Sequence, residues 1–444
     1  MSGSRVVLIF PVMDDEKAFH HLPVSLLSLA APLADHGVEY DLWDQRVESV
    51  DRLKGLLDQC FLVGLSMFTG LQTANAHALL GEIRASHPHV LTVVGGPHIS
   101  ALPQQTVEDP LVDFAVAGFA EASFCELVMQ LRDFGGLQGP IPGVFVKDSQ
   151  GAGQGAPTRR QFDGNYWRTL PYHKIDVPRY INPATERVMY ISHYGCPARC
   201  TFCATPETRK WTPKPFDLVR QDLINLHQIY PFRQINFFDA TMFTSKQRVH
   251  GVLDCLEDFP AVAWLADARA VELVKYSVEE LRLISRRGGG LHSLVVGLES
   301  GSARVVEGIM KKGRTHLVSY HESMQRAHQA GIPVTSGLVL GSPGETVADL
   351  RETTEFITEI RRIHPPFRLS TTFFRPLPGT ELYDVVDAMG LIAQRSFKQW
   401  AEAGKATHYA YNQWMDIPWF SAAENRAYQE EYRRFREVHG DILV

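Results

Sequence analysis

Three cysteines lie close together in this chain and form the group of side chains best suited to chemistry. Cys196, Cys200 and Cys203 occur in the stretch HYGCPARCTFCATPE, residues 193–207, of a chain that has six cysteines in all. They follow an apolar segment predicted to be a strand, and functional residues are common on loops in such positions. Because the chain uses few cysteines and shows no secretion signal, we expect a reducing cytoplasm, where clustered cysteines hold metal more often than they form disulfides.

The number and spacing of these cysteines discriminate between two kinds of metal site. A structural zinc ion prefers four closed ligands, usually in CxxC pairs. His193 is a candidate fourth ligand near the end of the predicted strand, and the next cysteine along the chain is Cys255. A cubane iron–sulfur cluster binds one thiolate per iron, so three cysteines leave one iron open. An open metal position is typical of a catalytic site, and the spacing therefore favours an iron–sulfur cluster over zinc.

Composition excludes several classes of protein. The chain has 444 residues, which suggests two or three domains, and 45% of them are hydrophobic and 21% charged. The net charge of -6 gives no sign of a nucleic-acid or anionic-membrane surface. No window approaches the ~18 to 20 uninterrupted apolar residues of a membrane span. We therefore expect a globular cytoplasmic protein without a membrane span or a nucleic-acid partner.

The first 135 residues alternate strand and helix patterns and are predicted to form one domain, residues 1–135. The strand candidates are RVVLIF (5–10), EYDLW (39–43), FLVGLS (61–66), LTVVGG (91–96) and FAVAG (114–118). Strands separated by helices predict a parallel, doubly wound sheet of the flavodoxin or Rossmann type. Its ligand should lie at the carboxyl ends of the strands.

The remainder of the chain is predicted to form a linker, a second domain and a tail. Residues 136–185 are rich in Gly and Pro around a short apolar strand, VFVK, and predict a linker with one hairpin. Residues 186–384 contain six strand candidates, each followed by a helical pattern, as in a partial (β/α)6 barrel with its chemistry on the loops after the strands. Residues 385–444 are helical and rich in aromatic residues: Trp400, Tyr409, Tyr411, Trp414 and Trp419. This tail is either a lid or substrate wall, or a set of helices packed on the barrel.

The spacing C-x3-C-x2-C, with Phe202 before the last cysteine, resembles the signature of the radical S-adenosylmethionine (SAM) superfamily. The resemblance implies a [4Fe-4S] cluster held by Cys196, Cys200 and Cys203, with Phe202 in the SAM site. It also implies that the amino and carboxylate groups of SAM chelate the open iron. In this family the reduced cluster cleaves SAM to a 5'-deoxyadenosyl radical that abstracts a hydrogen atom, a reaction that a cofactor must carry.

Downstream segments resemble further motifs of the same family, in the same order. NFFDATMFT offers Asp239 toward the SAM amino group, and ADARAVEL offers Arg269 at a position where relatives contact SAM. VVGLESGSARVVEGIMKKG resembles the GxES segment, with Glu299 for the ribose hydroxyls and Ser300 assisting. GLVLGSPGET, containing Gly341, resembles the turn near the adenine, and FFRPLPGTELY resembles the following PxPGT turn. The resemblance thus assigns a SAM site to the strand ends of the barrel.

The first domain resembles the cobalamin-binding domain that is fused to many radical SAM enzymes. The segments that carry the resemblance are residues 22–44, 63–69, 93–100 and 112–121. The cobalamin-binding residues that it implies are Ser66, Thr69, Gly95, Gly96, Gly118 and Glu121. The last segment reads GFAE where the family usually has GEGE, which leaves open a domain that has lost cobalamin. The motif D-x-H-x-x-G, which places His on cobalt in another class, is absent from the sequence.

The combined resemblance implies a cobalamin-dependent radical SAM enzyme. Its expected reaction is methylation of a non-nucleophilic carbon or phosphorus of a small molecule or natural product, through the 5'-deoxyadenosyl radical and methylcobalamin. An external donor of the flavodoxin or ferredoxin type is expected to reduce the cluster. The alternatives are a non-methylating relative that forms a ring, contracts a ring or oxidises its substrate, and a non-catalytic cobalamin-binding sensor.

Overall fold

A computed structural model describes residues 5–13, 21–156, 162–204, 210–406 and 416–440. The chain divides into two compact units, each made of three segments. The first unit comprises residues 1–183, 212–231 and 393–408, and the second comprises residues 184–211, 232–392 and 409–444. The first unit therefore includes helical segments that lie beyond the domain boundaries expected from the sequence.

The first unit is built on a seven-stranded sheet with the strand order β2-β1-β3-β4-β5-β6-β7. Its strands are β1 (Arg5–Phe10), β2 (Glu39–Asp44), β3 (Cys60–Ser66), β4 (Leu91–Gly95), β5 (Phe114–Val116), β6 (Val144–Lys147) and β7 (Gly153–Gly155). The first five strands pair in parallel, which confirms the predicted flavodoxin-like topology. The hairpin expected in the linker is present, and its strands β6 and β7 extend this sheet in antiparallel pairing.

Helices cover both faces of this sheet, and its central parallel strands are therefore buried on both sides. The helices of the first two segments are α1 (Val24–Asp35), α2 (Val50–Leu57), α3 (Leu71–Ser86), α4 (Pro97–Ala101), α5 (Pro103–Val107), α6 (Glu121–Phe134) and α7 (Phe216–Ile229). Short 3-10 helices span Gly164–Tyr166, Tyr172–Lys174 and Val177–Tyr180. Strand β3 is buried along its whole length, so its carboxyl end delivers the next loop from a fixed position.

The second unit contains a six-stranded, wholly parallel sheet with the order β15-β14-β13-β12-β11-β8. The strands after the first sheet are β8 (Arg187–Tyr190), β9 (His193–Tyr194), β10 (Thr212–Pro213), β11 (Gln234–Phe237), β12 (Ala263–Ala268), β13 (Leu291–Val296), β14 (Val334–Leu340) and β15 (Arg368–Phe373). β10 belongs to a segment of the first unit. Six parallel strands in sequence order, joined by helical connections, confirm the predicted partial (β/α)6 barrel.

The remaining helices follow the barrel strands or the end of the barrel. They are α8 (Lys246–Cys255), α9 (Ala270–Leu273), α10 (Val278–Ser285), α11 (His316–Ala330), α12 (Val347–Ile363), α13 (Glu381–Ala388), α14 (Phe397–Ala406) and α15 (Ala422–His439). A π-helical turn spans Arg304–Ile309 and a 3-10 turn spans Met242–Thr244. Helix α12 starts at a capping box in which Thr346 and Asp349 bond each other's backbone N–H groups, and this fixes the turn after β14.

The aromatic tail is divided between the two units. Phe397 of α14 is fully buried in the hydrophobic core of the first unit, and the Trp400 indole donates to Gln105 Oε1 at 2.8 Å. Helix α15 packs on α12 in the second unit, where Arg351 Nε lies 2.8 Å from Glu431 Oε2. The alternative of helices packed on the barrel is therefore wrong for α14, and the alternative of a lid or substrate wall stays a prediction. Tyr409, Tyr411 and Trp414 lie outside the described residues.

Across the ranges that the structure describes, none of the helices combines the length and the apolar composition needed to cross a membrane.

Candidate functional site

The three clustered cysteines lie on the loop after β9, and all three are partly exposed free thiols. Burial raises the pKa of the Cys196 and Cys200 thiols, while the positive charge of Arg269 acts against that rise at both. At Cys200 the positive charge of Lys312 also acts against the rise. Cys203 lies near enough to both to interact with them electrostatically. Three soft thiolate donors beside two cations fit a cluster in which each thiolate binds a different iron.

Over the described ranges, no three His, Cys, Asp or Glu side chains gather closely enough to hold a single metal ion.

Contacts from distant parts of the second unit clamp the cysteine loop. Thr201 donates its backbone N–H to Met310 O at 3.1 Å and its hydroxyl to Ile309 O at 2.8 Å. Leu382, at the start of α13, donates its N–H to Thr201 O at 3.1 Å. These three hydrogen bonds hold the loop at Thr201, and the partly exposed Phe202 follows directly.

Asp239 anchors the strand that leads into the cysteine loop. Its carboxylate is fully buried and accepts hydrogen bonds from the Ser192 N–H and hydroxyl, both at 2.6 Å, and from the His193 N–H at 3.0 Å. Burial alone would raise the pKa of Asp239, but His193 and Ser192 lower it below its ordinary value. Since both oxygens are used inside the protein, the structure gives Asp239 a positioning contact. Its expected contact with SAM stays a prediction.

Glu299 follows β13 and is held beside β14. Its backbone has φ +68°, its N–H donates to Gly337 O at 2.9 Å, and its carbonyl accepts from Val339 N at 3.0 Å. Its Oε1 lies 2.7 Å from Lys312 Nζ. Arg269 Nη2 donates to the Lys312 carbonyl at 3.4 Å. The structure thus brings two predicted SAM residues, Arg269 and Glu299, into one charged group through Lys312.

Sequence reasoning missed Lys312, although it lies in the quoted VVGLESGSARVVEGIMKKG segment. Its ammonium group donates to Gly297 O at 2.8 Å as well as to Glu299. Two neighbouring lysines in that segment are equivalent by sequence. Lys311 is exposed and pairs with Glu381, whereas Lys312 is buried, and only the fold distinguishes them.

Ser300 and Gly341, the other two predicted SAM residues, make contacts within the second unit. Ser300 is buried, and its hydroxyl lies 3.1 Å from Thr353 Oγ1 on α12. Gly341 has φ +74°, its N–H donates to the Tyr428 hydroxyl at 3.1 Å, and its carbonyl accepts from the Trp419 indole at 3.1 Å. The contacts of Gly341 fix the turn after β14. The SAM contacts expected of Ser300 and Gly341 stay predictions.

Two carboxyl groups near the strand ends, those of the buried Glu345 and the half-buried Asp267, were also missed. Burial raises the pKa of Glu345 to about 7, and its oxygens accept from the Tyr428 hydroxyl at 2.6 Å and the Ser342 N–H at 2.9 Å. Burial, and then the charge of Asp239, raise the pKa of Asp267 to about 7 at the end of β12. Neither pKa shift has a signal in the sequence, because each depends on burial by distant segments.

In the first unit, the loops after β3 and β4 are joined at the carboxyl edge of the sheet. Met67 N donates to Gly95 O at 3.0 Å. Gly96 has φ +99°, and a Cβ placed there would lie 2.7 Å from both the N and the O of Met67. The buried Ser66 would also be in close contact with it, since its Oγ would lie 3.1 Å from that Cβ. Only glycine allows this approach of the two loops.

Two further contacts connect this edge to neighbouring residues. Thr69 Oγ1 lies 2.9 Å from Nδ1 of the buried His98. Gly118, after β5, has φ +82° and donates its N–H to Ser100 Oγ at 2.9 Å, and that hydroxyl in turn donates to Gly96 O. The structure therefore brings five predicted cobalamin-binding residues to one edge of the sheet: Ser66, Thr69, Gly95, Gly96 and Gly118.

Glu121 differs from the other five. Its buried carboxylate accepts from the Ser28 hydroxyl at 2.6 Å, which joins α6 to α1, and burial raises its pKa. The structure thus occupies this side chain inside the unit, and its predicted contact with cobalamin stays a prediction.

The same edge carries an exposed aromatic ring. Phe68 is 51% exposed although its backbone is fixed, since its N–H donates to Gln72 Oε1 at 2.8 Å. A rigid loop with small residues and an open phenyl ring fits a flat, largely apolar macrocycle, because such cofactors bind through apolar surfaces with few polar groups.

Comparison with known families agrees with both halves of this description. Residues 190–357 match the Radical SAM superfamily, and residues 13–128 match the B12 binding domain. The first match contains the cysteine loop and Glu299, and the second contains the loops after β3, β4 and β5. The chain belongs to the radical SAM enzymes that carry a B12-binding domain. It is a member that uses a [4Fe-4S] cluster, SAM and cobalamin.

Three relatives cover most of the chain. An uncharacterized methyltransferase of Pyrococcus horikoshii is 25% identical, over 86% of this chain and 81% of the relative. The cytidylyl-2-hydroxyethylphosphonate methyltransferase of Streptomyces wedmorensis is 23% identical, over 81% of this chain and 77% of the relative. The anaerobic magnesium-protoporphyrin IX monomethyl ester cyclase of Synechocystis is 21% identical, over 83% and 74%.

Two solved structures share the fold. The radical SAM methyltransferase TsrM from Kitasatospora setae, with tryptophan and a SAM analogue bound, has a TM-score of 0.71 and 17% identity, covering 87% of this chain and 76% of its own. The cobalamin-dependent radical enzyme OxsB, with aqua-cobalamin and SAM bound, has a TM-score of 0.70 and 17% identity, covering 98% and 61%.

Proposed function

We propose that this enzyme methylates a non-nucleophilic carbon or phosphorus atom of a small molecule. The observation that carries the proposal is the clamped loop of three thiols beside the Arg269, Glu299 and Lys312 group, in a chain that also has the glycine-rich edge of a B12-binding sheet. Two of the relatives described above are named as methyltransferases.

The residues of the second unit have separate roles in this reaction. Cys196, Cys200 and Cys203 would hold the cluster, and Asp239 fixes the backbone that enters their loop. The backbone of Glu299 is fixed by hydrogen bonds to β14, and its carboxylate is suited to accept hydrogen bonds from the ribose hydroxyls of SAM. When bound, the cluster with SAM supplies a 5'-deoxyadenosyl radical, and cobalamin supplies the methyl group.

The residues of the first unit would hold cobalamin at the carboxyl edge of its sheet. Gly95 and Gly96 leave the backbone accessible there, and Ser66 and Thr69 provide small hydroxyl groups. The sequence lacks the D-x-H-x-x-G motif, so we infer that cobalamin binds without that histidine ligand.

The partners that we propose follow from the same chemistry. The substrate is a small molecule, and an external flavodoxin- or ferredoxin-type donor supplies the electron for SAM cleavage. The proposed location is the cytoplasm, because such a cluster needs a reducing environment.

A second candidate function is radical chemistry without methyl transfer, such as ring formation. It is favoured by one observation, the similarity over 83% of this chain to a relative named as a cyclase. A non-catalytic cobalamin sensor is the third alternative, and the clamped cysteine loop weighs against it.

Product analysis separates these functions. The anaerobically reconstituted enzyme would be incubated with SAM, cobalamin, a reductant and a panel of small molecules chosen from its genomic neighbourhood. A methylated product formed with both S-adenosylhomocysteine and 5'-deoxyadenosine supports the proposal. Methylation without 5'-deoxyadenosine contradicts the radical step, and a changed substrate with 5'-deoxyadenosine but no S-adenosylhomocysteine supports the second candidate.

The control for this experiment is a variant with Cys196, Cys200 and Cys203 all changed to Ala. It should form no 5'-deoxyadenosine and should contain no cluster iron. If the wild-type protein binds cobalamin but neither assembles a cluster nor cleaves SAM, the sensor function is supported instead.

A further inference from the structure

Lys312 is a buried cation within the candidate SAM site. Its side chain is 7% exposed and that of Glu299 is 14% exposed. The ammonium group donates to Glu299 Oε1 at 2.7 Å and to Gly297 O at 2.8 Å. A buried charge is costly unless it is paired and hydrogen-bonded, and Lys312 is both. Removing it would leave the Glu299 carboxylate without its ion-pair partner.

The ion pair with Lys312 sets the direction of the Glu299 carboxylate, because the backbone of Glu299 fixes only where the side chain begins. Glu299 has φ +68°, a backbone conformation that residues other than glycine rarely adopt. Hydrogen bonds to Gly337 and Val339 hold that backbone against β14. The backbone therefore fixes where the side chain starts, and Lys312 fixes where its carboxylate ends.

The segment around Lys312 also contacts the cysteine loop. The Lys312 carbonyl accepts a hydrogen bond from Arg269 Nη2 at 3.4 Å. The segment just before Lys312 holds the loop directly, since Met310 O accepts from Thr201 N at 3.1 Å. Lys312 thus contacts Glu299 and lies two residues after Met310, whose carbonyl holds the cysteine loop.

We propose that Lys312 is a positioning residue that holds the Glu299 carboxylate for the ribose of SAM and places a positive charge beside the iron–sulfur cluster. This inference rests on the proposed function, because it assumes that the three cysteines hold a cluster and that SAM binds to it. A reduced cluster carries one more negative charge than an oxidised one. A nearby cation therefore favours reduction and raises the midpoint potential.

Two measurements on anaerobically reconstituted protein test this inference. The first is the Kd for SAM by equilibrium dialysis with the oxidised cluster. The second is the midpoint potential of the cluster without SAM, from a titration followed by electron paramagnetic resonance. In Lys312→Gln we expect SAM to bind ~10-fold or more weakly, as for loss of a charge-assisted contact, and the potential to fall. Lys312→Arg should retain the wild-type potential and recover part of the affinity.

Lys311→Gln is the matched control, because it removes the same charge from the neighbouring residue. Lys311 is 58% exposed and pairs with Glu381 at 2.6 Å, away from Glu299. We expect this variant to match the wild type in SAM affinity and in potential. An equal effect of both substitutions would mean that general surface charge is responsible, and would overturn the inference.

A double variant keeps the test valid if Lys312→Gln fails to fold. Glu299→Gln with Lys312→Gln removes both charges and leaves no lone buried ion. Its potential should still differ from that of Glu299→Gln alone, and no difference would overturn the electrostatic role. Wild-type SAM affinity and potential in cluster-loaded Lys312→Gln would overturn the whole inference. A wild-type protein that binds no cluster or no SAM would instead contradict the proposed function, and the inference with it.

Discussion

Asp239 illustrates how one buried carboxylate can position a loop that it does not belong to. Its hydrogen bonds within the described part of the chain go to residues 192 and 193, just before the cysteine loop, and the His193 ring nitrogen Nδ1 lies 3.4 Å from its Oδ2. Its lowered pKa means that it stabilises the fold at pH values above its unfolded pKa, and that this contribution is lost as the pH falls through the folded pKa.

We expect Asp239→Asn to lower the free energy of unfolding by about 2 to 4 kcal/mol, because an amide cannot accept on both atoms. The iron content after reconstitution should fall with it. Denaturant unfolding of the apoprotein and iron analysis measure the two effects. Asp384→Asn, on the exposed face of α13, is the control and should change stability by no more than about 0.5 kcal/mol.

At the residue scale, the sequence predicts residues that belong to a spaced motif. Cys196, Cys200 and Cys203 could be found because their spacing is local, and the structure places them on one clamped loop. Lys312 and Glu345 could not be singled out, because their contacts with Glu299 and Tyr428 cross 13 and 83 positions of the chain. Such pairs arise only when the strands are arranged side by side.

At the scale of elements, the loop after β4 is limited by the space beside Met67. We expect Gly96→Ala to destabilise the protein by about 1 to 3 kcal/mol, because the φ of +99° is strained for alanine and its Cβ would lie 2.7 Å from the Met67 backbone. Hydroxocobalamin should also bind less tightly to this variant, as measured by absorbance titration.

Gly55→Ala is the matched control for that substitution. Gly55 lies inside α2, and nothing lies within 4 Å of a Cβ built there. We expect it to leave cobalamin binding unchanged and to stabilise the helix by about 0.4 to 1 kcal/mol. Equal losses of cobalamin in both variants would contradict a specific role for the loop after β4.

The turn between β14 and α12 should make stability depend on pH. The pKa of Glu345 is raised from 4.5 to about 7 by burial, so the folded state binds a proton that the unfolded state has released. The protonated form is therefore the stabilising one, and stability should fall as the pH rises from 4.5 to about 7 and level off above that.

Glu345→Gln should remove this dependence, because a glutamine can accept from Ser342 and donate to Tyr428 at every pH. Its thermal midpoint should exceed that of the wild type at about pH 8.5 and match it at about pH 4, below the unfolded pKa of the glutamate. Glu352→Gln, exposed on α12, is the control and should keep the wild-type pH profile. A wild-type midpoint that does not decrease between pH 4.5 and about pH 7 would count against the raised pKa.

At the scale of the whole molecule, α14 completes the core of the first unit from a distant part of the chain. The Phe397 ring lies 5.3 Å from His77 and 6.1 Å from His98, and His98 contacts Thr69 of the candidate cobalamin site. Phe397→Ala should cost about 3 to 5 kcal/mol and weaken hydroxocobalamin binding. Unfolding curves and absorbance titration measure these changes.

Lys398→Ala is the control, since it changes the exposed neighbour of Phe397 on the same helix. It should leave stability and cobalamin binding within error of the wild type. Iron loading should persist in Phe397→Ala, because the cysteine loop is held by contacts within the second unit. Loss of iron together with cobalamin would show that the substitution unfolds the entire chain.

Both sheets were predictable because each strand is a short apolar run between helical patterns. Which segments belong to each unit was not predictable, because periodicity identifies a helix without identifying the core on which it packs. Helix α14 shows this limit, since its sequence pattern is equally compatible with packing on the barrel. The hairpin of β6 and β7 was recognised as a hairpin, and its pairing with β5 depends on an edge strand that the local sequence does not reveal.

The three-segment composition of the first unit has a consequence for biosynthesis. Domains commonly fold as they leave the ribosome, the amino-terminal one first, at synthesis rates of about 5 to 20 residues per second. Here the core of the first unit includes Phe397, so it is complete only after residue 397 has been made. The barrel strands, which end at Phe373, emerge before that core is complete. The sheet of the first unit is therefore synthesised before the barrel strands, and its core is completed after them.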